Sequence, residues 1–331
     1  MNSKKRSTLL GAALIIFGMI LGFVVGQWIC SPQKTEEVPI WRLIPGMFLK
    51  PVDGILPEAS APAGGEDLIL PQASVFTAAD GKYISMQYGQ DCTYRPDVSR
   101  LLLQRLDWEL GGGEPTVLIL HTHASESYTR LSGEAYVQAG DYRTLDTQYN
   151  MVVLGDLLAV RLEAAGIGVI HDRDIHDYPS YSDSYTNARS CVQAYLQKYP
   201  SIRVVLDLHR DALLLSDGSQ FAPAVMSGGE SVARIMLVVG TDGSGMYHPA
   251  WQENLAIAAK LQVLLERQCA GITRPILLRA QRFNHDLSVG AMIVEVGAAG
   301  NTLLEAKNAV LYLADALVAL SHGAITENST S

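Results

Sequence analysis

The sequence predicts an α/β domain with a mostly parallel sheet and helices on both faces, preceded by one transmembrane helix and a linker. Two features of the chain predict this organisation. From Pro115 onward, short apolar runs alternate with longer segments whose apolar residues recur at helical spacing, as in parallel sheets covered on both sides. Upstream, residues 9–29 form a single uncharged apolar run.

The composition excludes several other classes of protein. The 331 residues are 48% hydrophobic and 18% charged, which is too apolar for a disordered chain and too evenly charged for a polytopic membrane protein. The formal net charge of −9 lacks the basic excess that nucleic-acid backbones require. We therefore expect no nucleic acid among the partners of this protein.

The apolar run at 9–29 predicts a membrane anchor. At about 1.5 Å per residue, a helix of this length crosses the ~30 Å hydrocarbon core of a bilayer. Basic residues at 4–6 make residues 1–30 a cytoplasmic tip and anchor, with the rest of the chain exported. A cleaved signal peptide is the alternative, but its apolar core would be shorter and end in small residues, whereas Trp28 and Cys30 follow here. We expect a single-pass protein with an extracytoplasmic domain.

The remaining segments differ in composition. Residues 31–72 are predicted to be a linker, because they contain seven of the chain's 14 prolines. Residues 73–114 form a lead-in that the pattern does not assign. Residues 115–322 are the predicted α/β domain, and 323–331 a C-terminal tail.

Each element of the domain has a local signal. Short, mainly apolar runs predict buried strands at 116–120, 167–170, 203–208, 234–240 and 291–297. Apolar residues recurring every three or four positions predict helices at 150–165, 185–198, 254–268 and 302–321. The cysteines show no CxxC spacing, which argues against a zinc knuckle. Cys191 and Cys269 lie in the helical patterns and are expected to be buried, non-catalytic thiols.

Polar side chains follow or interrupt three of the predicted strands. The carboxyl ends of parallel strands share one edge of a sheet, so residues far apart in sequence can converge there. Two imidazoles and a carboxylate suit zinc, which predicts His123, Glu126 and His209 as ligands. Glu295, a carboxylate in an apolar run, is then the predicted catalytic base. His121 remains an alternative first ligand, because in an extended segment it points to the same side as His123.

Other polar residues have less specific expectations. Arg210 is predicted to donate to substrate carboxylates or to a developing oxyanion, with a surface salt bridge as an equal alternative. His176 and Asp177 either line the cleft or shape the turn before the next helix, and the turn is favoured. Three histidines are expected at the surface: His171, His248 and His322.

The motifs around these residues resemble the stage II sporulation protein P family, whose members are related to zinc-dependent N-acetylmuramoyl-L-alanine amidases. The resemblance covers about residues 115–320. Its colinear blocks are LHTHASESY at 120–128, NMVVLGDLLAVRLEAAGIGVIHD at 150–172, HDYPSYSDSY at 176–185, DLHRDA at 207–212, FNHDLS at 283–288 and IVEVGAAGNTLLEA at 293–306.

The resemblance implies a zinc amidase-like fold and a Zn2+ cofactor. It implies hydrolysis of the amide between N-acetylmuramic acid and the L-alanine of the stem peptide, with a second activity against peptide cross-links. The implied place is the extracytoplasmic side of the sporulation septum during engulfment. Implied partners are peptidoglycan, a stage II sporulation protein D-like glycan hydrolase and other engulfment membrane proteins.

Carried over by position, His123 and His209 correspond to the two histidine ligands and Glu295 to the catalytic glutamate. Glu126 is the chosen carboxylate ligand. The broader amidase family places that ligand nearer the start of the following helix, where this chain has no glutamate but Asp146, Gln148 and Asn150. Two other functions stay open, a non-catalytic wall-binding scaffold and a zinc carboxypeptidase acting on stem peptides.

Overall fold

The computed structural model describes residues 73–138 and 142–326. The predicted anchor, the linker and most of the C-terminal tail lie outside the described residues. Within those two ranges, no helix is both long enough and apolar enough to cross a membrane.

The described chain alternates strands and helices through most of its length. The strands are β1 Ser74–Phe76, β2 Met86–Tyr88, β3 Pro115–Leu120, β4 Gly168–His171, β5 Val204–Asp211, β6 Ala224–Ser227, β7 Glu230–Ala233, β8 Ile235–Gly240, β9 Ile276–Arg279, β10 Ala291–Ala298 and β11 Ala324–Thr326. The α-helices are α1 Val98–Leu102, α2 Met151–Ala164, α3 Ser184–Lys198, α4 Trp251–Gln268 and α5 Leu303–Leu320. Short 3-10 helices cover Ala78–Tyr83, Tyr181–Asp183 and His285–Leu287. The predicted strands and helices are confirmed to within a few residues.

Seven strands form the central sheet in the order β2, β9, β8, β10, β5, β3, β4. Every neighbouring pair is parallel except β10 with β8, which is antiparallel. The predicted mixed α/β fold with a mostly parallel sheet is therefore confirmed. Two small sheets accompany it, the parallel pair β1 and β11 and the hairpin β6 and β7.

Side-chain alternation along the strands separates two apolar layers. Leu206 and Leu208 of β5 pack in the larger core with α2, α4 and α5, whereas Val205 packs in a smaller core with α3. Strand β10 alternates likewise, with Val294 in the larger core. Helices thus cover both faces of the sheet, and the α3 face is the less heavily covered one.

The lead-in at 73–114 is part of the domain. Strand β1 pairs with β11, and β2 extends the edge of the central sheet by pairing with β9. Helix α1 is tied to α4 by Lys260, a buried lysine whose Nζ donates to the carbonyl oxygens of Leu101 (3.3 Å) and Leu102 (2.8 Å). These strands were not predicted because three residues are too few to display a periodicity.

Candidate functional site

Strands β5 and β10 place the central side chains of the site. His209 and Glu295 are direct partners in the parallel register of these two strands. Because side chains alternate along a strand, Asp207 and His209 share the α3 face with Val205. His209, a predicted metal ligand, and Glu295, the predicted base, therefore lie side by side on one face of the sheet.

The chain turns after β3, and this turn separates the two candidate first ligands. His121 continues the alternation of β3 toward the larger core, where it is fully buried. Its Nδ1 lies 3.2 Å from the Leu208 carbonyl oxygen and its Nε2 lies 2.8 Å from His171 Nε2. The ring centroid of His123 instead lies 5.2 Å from the ring centroid of His209. The structure thus brings His123, and not His121, to the partner histidine.

His121 belongs to a separate hydrogen-bonded chain. His171 Nδ1 lies 3.0 Å from Asp156 Oδ1, so the chain runs from the Leu208 carbonyl through both rings to a carboxylate. Burial, and then the neighbouring His171, lower the pKa of His121 to about 3. The expectation that His171 is an ordinary surface residue is wrong.

His123 is enclosed by aromatic rings. Tyr181 stacks on it with ring centroids 4.5 Å apart, and Tyr185 meets it edge-on at 5.6 Å. Its Nδ1 is buried and has no hydrogen-bond partner among the described residues. Burial and the neighbouring His209 both lower the pKa of His123, which favours the neutral imidazole that a metal requires.

Glu126 is the carboxylate next to His209. Its Oε2 lies 3.6 Å from His209 Nδ1 and accepts a hydrogen bond from the backbone N–H of Arg210 at 3.1 Å. The alternatives at the start of α2 are engaged locally. The Asn150 side chain caps that helix by accepting from Val152 N–H, and Asp146 accepts from the Gln148 N–H.

Asp207 holds the other side of His209. His209 Nε2 lies 2.9 Å from Asp207 Oδ1, although not in line for a hydrogen bond. The Thr122 backbone N–H and hydroxyl both donate to this carboxylate, at 2.7 and 2.6 Å. Burial alone would lower the pKa of His209. The nearby carboxylates of Asp207, Glu126 and Glu295 outweigh this effect and raise that pKa to about 10. The prediction omitted Asp207, although a carboxylate inside the apolar run VVLDL was a usable signal.

Glu295 is the second carboxylate beside His209. Its Oε2 is buried without a hydrogen-bond partner among the described residues. Burial raises the pKa of Glu295 to about 8, since desolvation outweighs the opposite effect of His209. A carboxyl group with such a pKa can both accept and return a proton near neutral pH.

Arg210 contacts the site from the other face of β5, with its Nη1 3.8 Å from Glu126 Oε1. It follows Leu208 in the alternation of β5 and therefore lies on the face opposite His209. Its guanidinium is buried and donates to the carbonyl oxygens of Ser127 (3.0 Å) and Tyr142 (2.9 Å). The surface salt bridge considered as an alternative is wrong, because the ion pair of Arg210 with Glu126 is buried. Arg210 supports the loop that carries Glu126, and its donation to substrate stays a prediction.

A second guanidinium at the site belongs to Arg143, which sequence reasoning missed. Its Nη2 donates to Glu126 Oε1 at 3.3 Å, and its Nη1 donates to Asp177 Oδ2 at 2.7 Å. It also lies over the ring of Tyr181, 4.9 Å from the centroid. Asp177 in turn accepts hydrogen bonds from the backbone and hydroxyl of Ser125. The loop after β4 is thereby fastened to the loop after β3.

Two other expectations about histidines have clear outcomes. His248, expected at the surface, is only 1% exposed. His322 is half-buried and pairs with Glu109 at 2.9 Å.

The residues present fit a zinc ion in donor type. Two imidazoles and a carboxylate form a common ligand set for catalytic zinc, and Asp207 stands where such sites place the carboxylate that orients a histidine. The buried and unpartnered Nδ1 of His123 is an atom that a metal would satisfy.

The fold and the site define an α/β protein with a buried histidine and carboxylate cluster at the edge where such sheets bind ligands. The sequence matches the family model of stage II sporulation protein P (SpoIIP) over residues 76–318, and the chain belongs to this family. Stage II sporulation protein P of Bacillus subtilis (strain 168) is 28% identical over 216 residues, which are 62% of this chain and 50% of that protein. The chain thus spans about half the length of this relative.

The chain is also similar to two solved structures. The N-acetylmuramoyl-L-alanine amidase AmiC2 of Nostoc punctiforme is 12% identical with a TM-score of 0.37, covering 62% of this chain and 97% of that one. The CwlD amidase from Clostridioides difficile, in complex with the GerS lipoprotein, is 12% identical with a TM-score of 0.36, covering 62% and 95%.

Proposed function

We propose that this protein is a zinc-dependent peptidoglycan hydrolase that cleaves the amide between N-acetylmuramic acid and L-alanine, and also peptide cross-links, during engulfment. The observation that carries the proposal is the placement of His123, His209 and Glu126 around one edge, with Glu295 as the register partner of His209. Membership of a sporulation family supports the biological setting.

In this proposal His123, Glu126 and His209 hold Zn2+. The ion would polarise the scissile carbonyl and lower the pKa of an attacking water. Glu295 takes a proton from that water at its carboxylate and delivers it to the leaving amine nitrogen. Its position in a desolvated strand favours proton uptake, because burial raises its pKa. Asp207 keeps the His209 ring oriented through Nε2, the ring nitrogen on the side away from Glu126.

The proposal includes a location. The uncharged run at 9–29, with basic residues at 4–6, would anchor the chain and leave the domain on the extracytoplasmic side of the septal membrane. A stage II sporulation protein D-like glycan hydrolase is the proposed partner, acting on the glycan that an amidase leaves bare. Other engulfment membrane proteins complete the proposed set.

Glu295→Gln tests the chemistry in the full-length chain, purified in detergent and incubated with intact sacculi. Product analysis by mass spectrometry should find free stem peptides with the wild type. The variant should keep its zinc and lose at least about 100-fold in rate, the lower end of what general acid-base catalysis contributes. His209→Ala should lose both zinc and activity. Glu253→Gln, at an exposed position on α4, is the matched control and should behave as wild type.

Other outcomes would identify the alternatives. Full activity of Glu295→Gln would show that another group is the base. Zinc-loaded wild type that leaves sacculi intact would indicate a wall-binding scaffold. Release of terminal amino acids without free stem peptides would indicate a carboxypeptidase.

A further inference from the structure

A second cluster of ligand-type side chains lies beyond β4, outside the site described above. Asp172 follows the last residue of β4, His176 lies four residues further on, and Cys191 belongs to α3. All three are buried. In the part of the chain that the structure describes, they are the only group of three or more histidine, cysteine or acidic residues whose ligand atoms all lie within 4.8 Å of one another.

The three side chains converge on a single oxygen. Asp172 Oδ2 lies 2.7 Å from His176 Nε2 and 3.3 Å from Cys191 Sγ. Burial opposes ionisation of Asp172, but hydrogen bonds from His176 and Cys191 lower the pKa of its carboxyl group below the ordinary value. The carboxylate is therefore ready to act as an anionic ligand at neutral pH.

The donor types indicate which cation would fit. A thiolate sulfur, an imidazole nitrogen and a carboxylate oxygen together suit zinc, whereas Ca2+ and Mg2+ select all-oxygen sites. Binding would release the proton from His176 Nε2 and the proton from the Cys191 thiol, and the metal would take their places beside Asp172. Asp174 is an exposed carboxylate outside this group, and its charge acts on both Asp172 and His176. Water would fill the fourth position.

We propose that Asp172, His176 and Cys191 form a second, structural zinc site, separate from the His123 and His209 cluster. The site joins the end of β4, the loop that follows it and helix α3. That loop also carries Asp177 and Tyr181, which contact Ser125 and the His123 ring. An ion at this second site would therefore fix the wall of the first one. The proposal does not depend on the reaction catalysed.

Cobalt substitution tests the proposal, because a sulfur ligand gives cobalt(II) an intense near-ultraviolet charge-transfer band and nitrogen or oxygen ligands do not. The full-length chain is produced in zinc-depleted medium containing cobalt and purified in detergent. We expect the thiolate band and two metal ions per chain in the wild type. Cys191→Ser should lose the band and one ion, and its hydroxyl can still donate to Asp172. Cys269→Ser, another buried thiol, is the matched control and should keep both ions.

Several results would overturn the proposal. Absence of the thiolate band from the cobalt-loaded wild type would do so without reliance on any variant. A band that survives Cys191→Ser would assign it to another cysteine. An unchanged metal content in a folded Cys191→Ser variant, checked by circular dichroism, would show that the cluster is only a hydrogen-bonded network.

Discussion

Gly155 of α2 lies against the buried pair of His121 and His171, and Gly155→Ala should destabilise the domain. A Cβ added at this position would lie 2.2 Å from His171 Nε2 and 2.7 Å from His121 Nε2. Real Cβ contacts are essentially never shorter than 3.0 Å, so at least one ring must move. Both rings are held by hydrogen bonds, at 2.8 Å to each other and 3.0 Å to Asp156.

Three effects set the size of the loss. Alanine favours a helix over glycine by about 1 kcal/mol. Overpacking a well-filled site costs about 1–3 kcal/mol, and breaking the bond between the two rings leaves a buried polar atom unsatisfied at about 1–3 kcal/mol. The two costs outweigh the helix preference, and the net loss should be about 3 kcal/mol. The sign is opposite to that expected for an unobstructed helical glycine.

Urea unfolding followed by circular dichroism measures this loss as a shift of the midpoint at constant slope. Gly81→Ala is the control, because its Cβ would meet only Ser99 Oγ at an ordinary 3.5 Å, and it should be neutral or slightly stabilising. In a double-mutant cycle, His171→Ala should make Gly155→Ala less costly by removing the nearest obstruction. A Gly155→Ala variant as stable as the wild type would refute the packing of His121 and His171 against α2.

Two further predictions concern buried charges. Asp207→Asn should weaken zinc binding about 10–100-fold, because the amide no longer supplies a charge to orient His209. Competition with a chromophoric chelator measures the zinc affinity, and Asp217→Asn, at an exposed turn, is the control. An unchanged zinc affinity of Asp207→Asn would contradict this role of Asp207. Lys260→Met should flatten the alkaline pH dependence of stability. Burial lowers the folded-state pKa of Lys260 from 10.5 to about 8. Between these two pH values the unfolded chain binds more protons than the folded chain, so the free energy of unfolding of the wild type should rise with pH, by at most about 1.4 kcal/mol per pH unit. Lys82→Met is the exposed control, and an equal rise in Lys260→Met would count against the assignment.

The longer elements were predictable because each carries its own pattern. Strand β5 is an apolar run and α2 repeats apolar residues at helical spacing, so neither needs tertiary information to be recognised. Strands such as β1 and β11 form only because each meets the other across more than two hundred residues of sequence. Their formation depends on long-range pairing, which a local window does not contain.

The candidate site divides in the same way. Strands β5 and β10 were both predicted, with their polar residues expected at one edge of the sheet, but the register that pairs His209 with Glu295 depends on which strands become neighbours. The choice between His121 and His123 depends on where β3 ends and the turn begins, a boundary that a pattern locates only within a few residues. The face on which Arg210 lies could have been predicted from the sequence. Extending the alternation of Leu206 and Leu208 by two residues places Arg210 on the face of β5 opposite His209.

The two faces of β5 give protein engineering a natural division of the molecule. Val204, Leu206 and Leu208 can be repacked with their helical neighbours to raise stability, because their side chains point away from Asp207 and His209. A single-residue deletion within β5 would destabilise the domain, because each side chain after the deletion would point to the other face of the sheet. Substitution libraries on the larger core should therefore yield folded, functional variants, whereas a library of deletions in β5 should yield almost none.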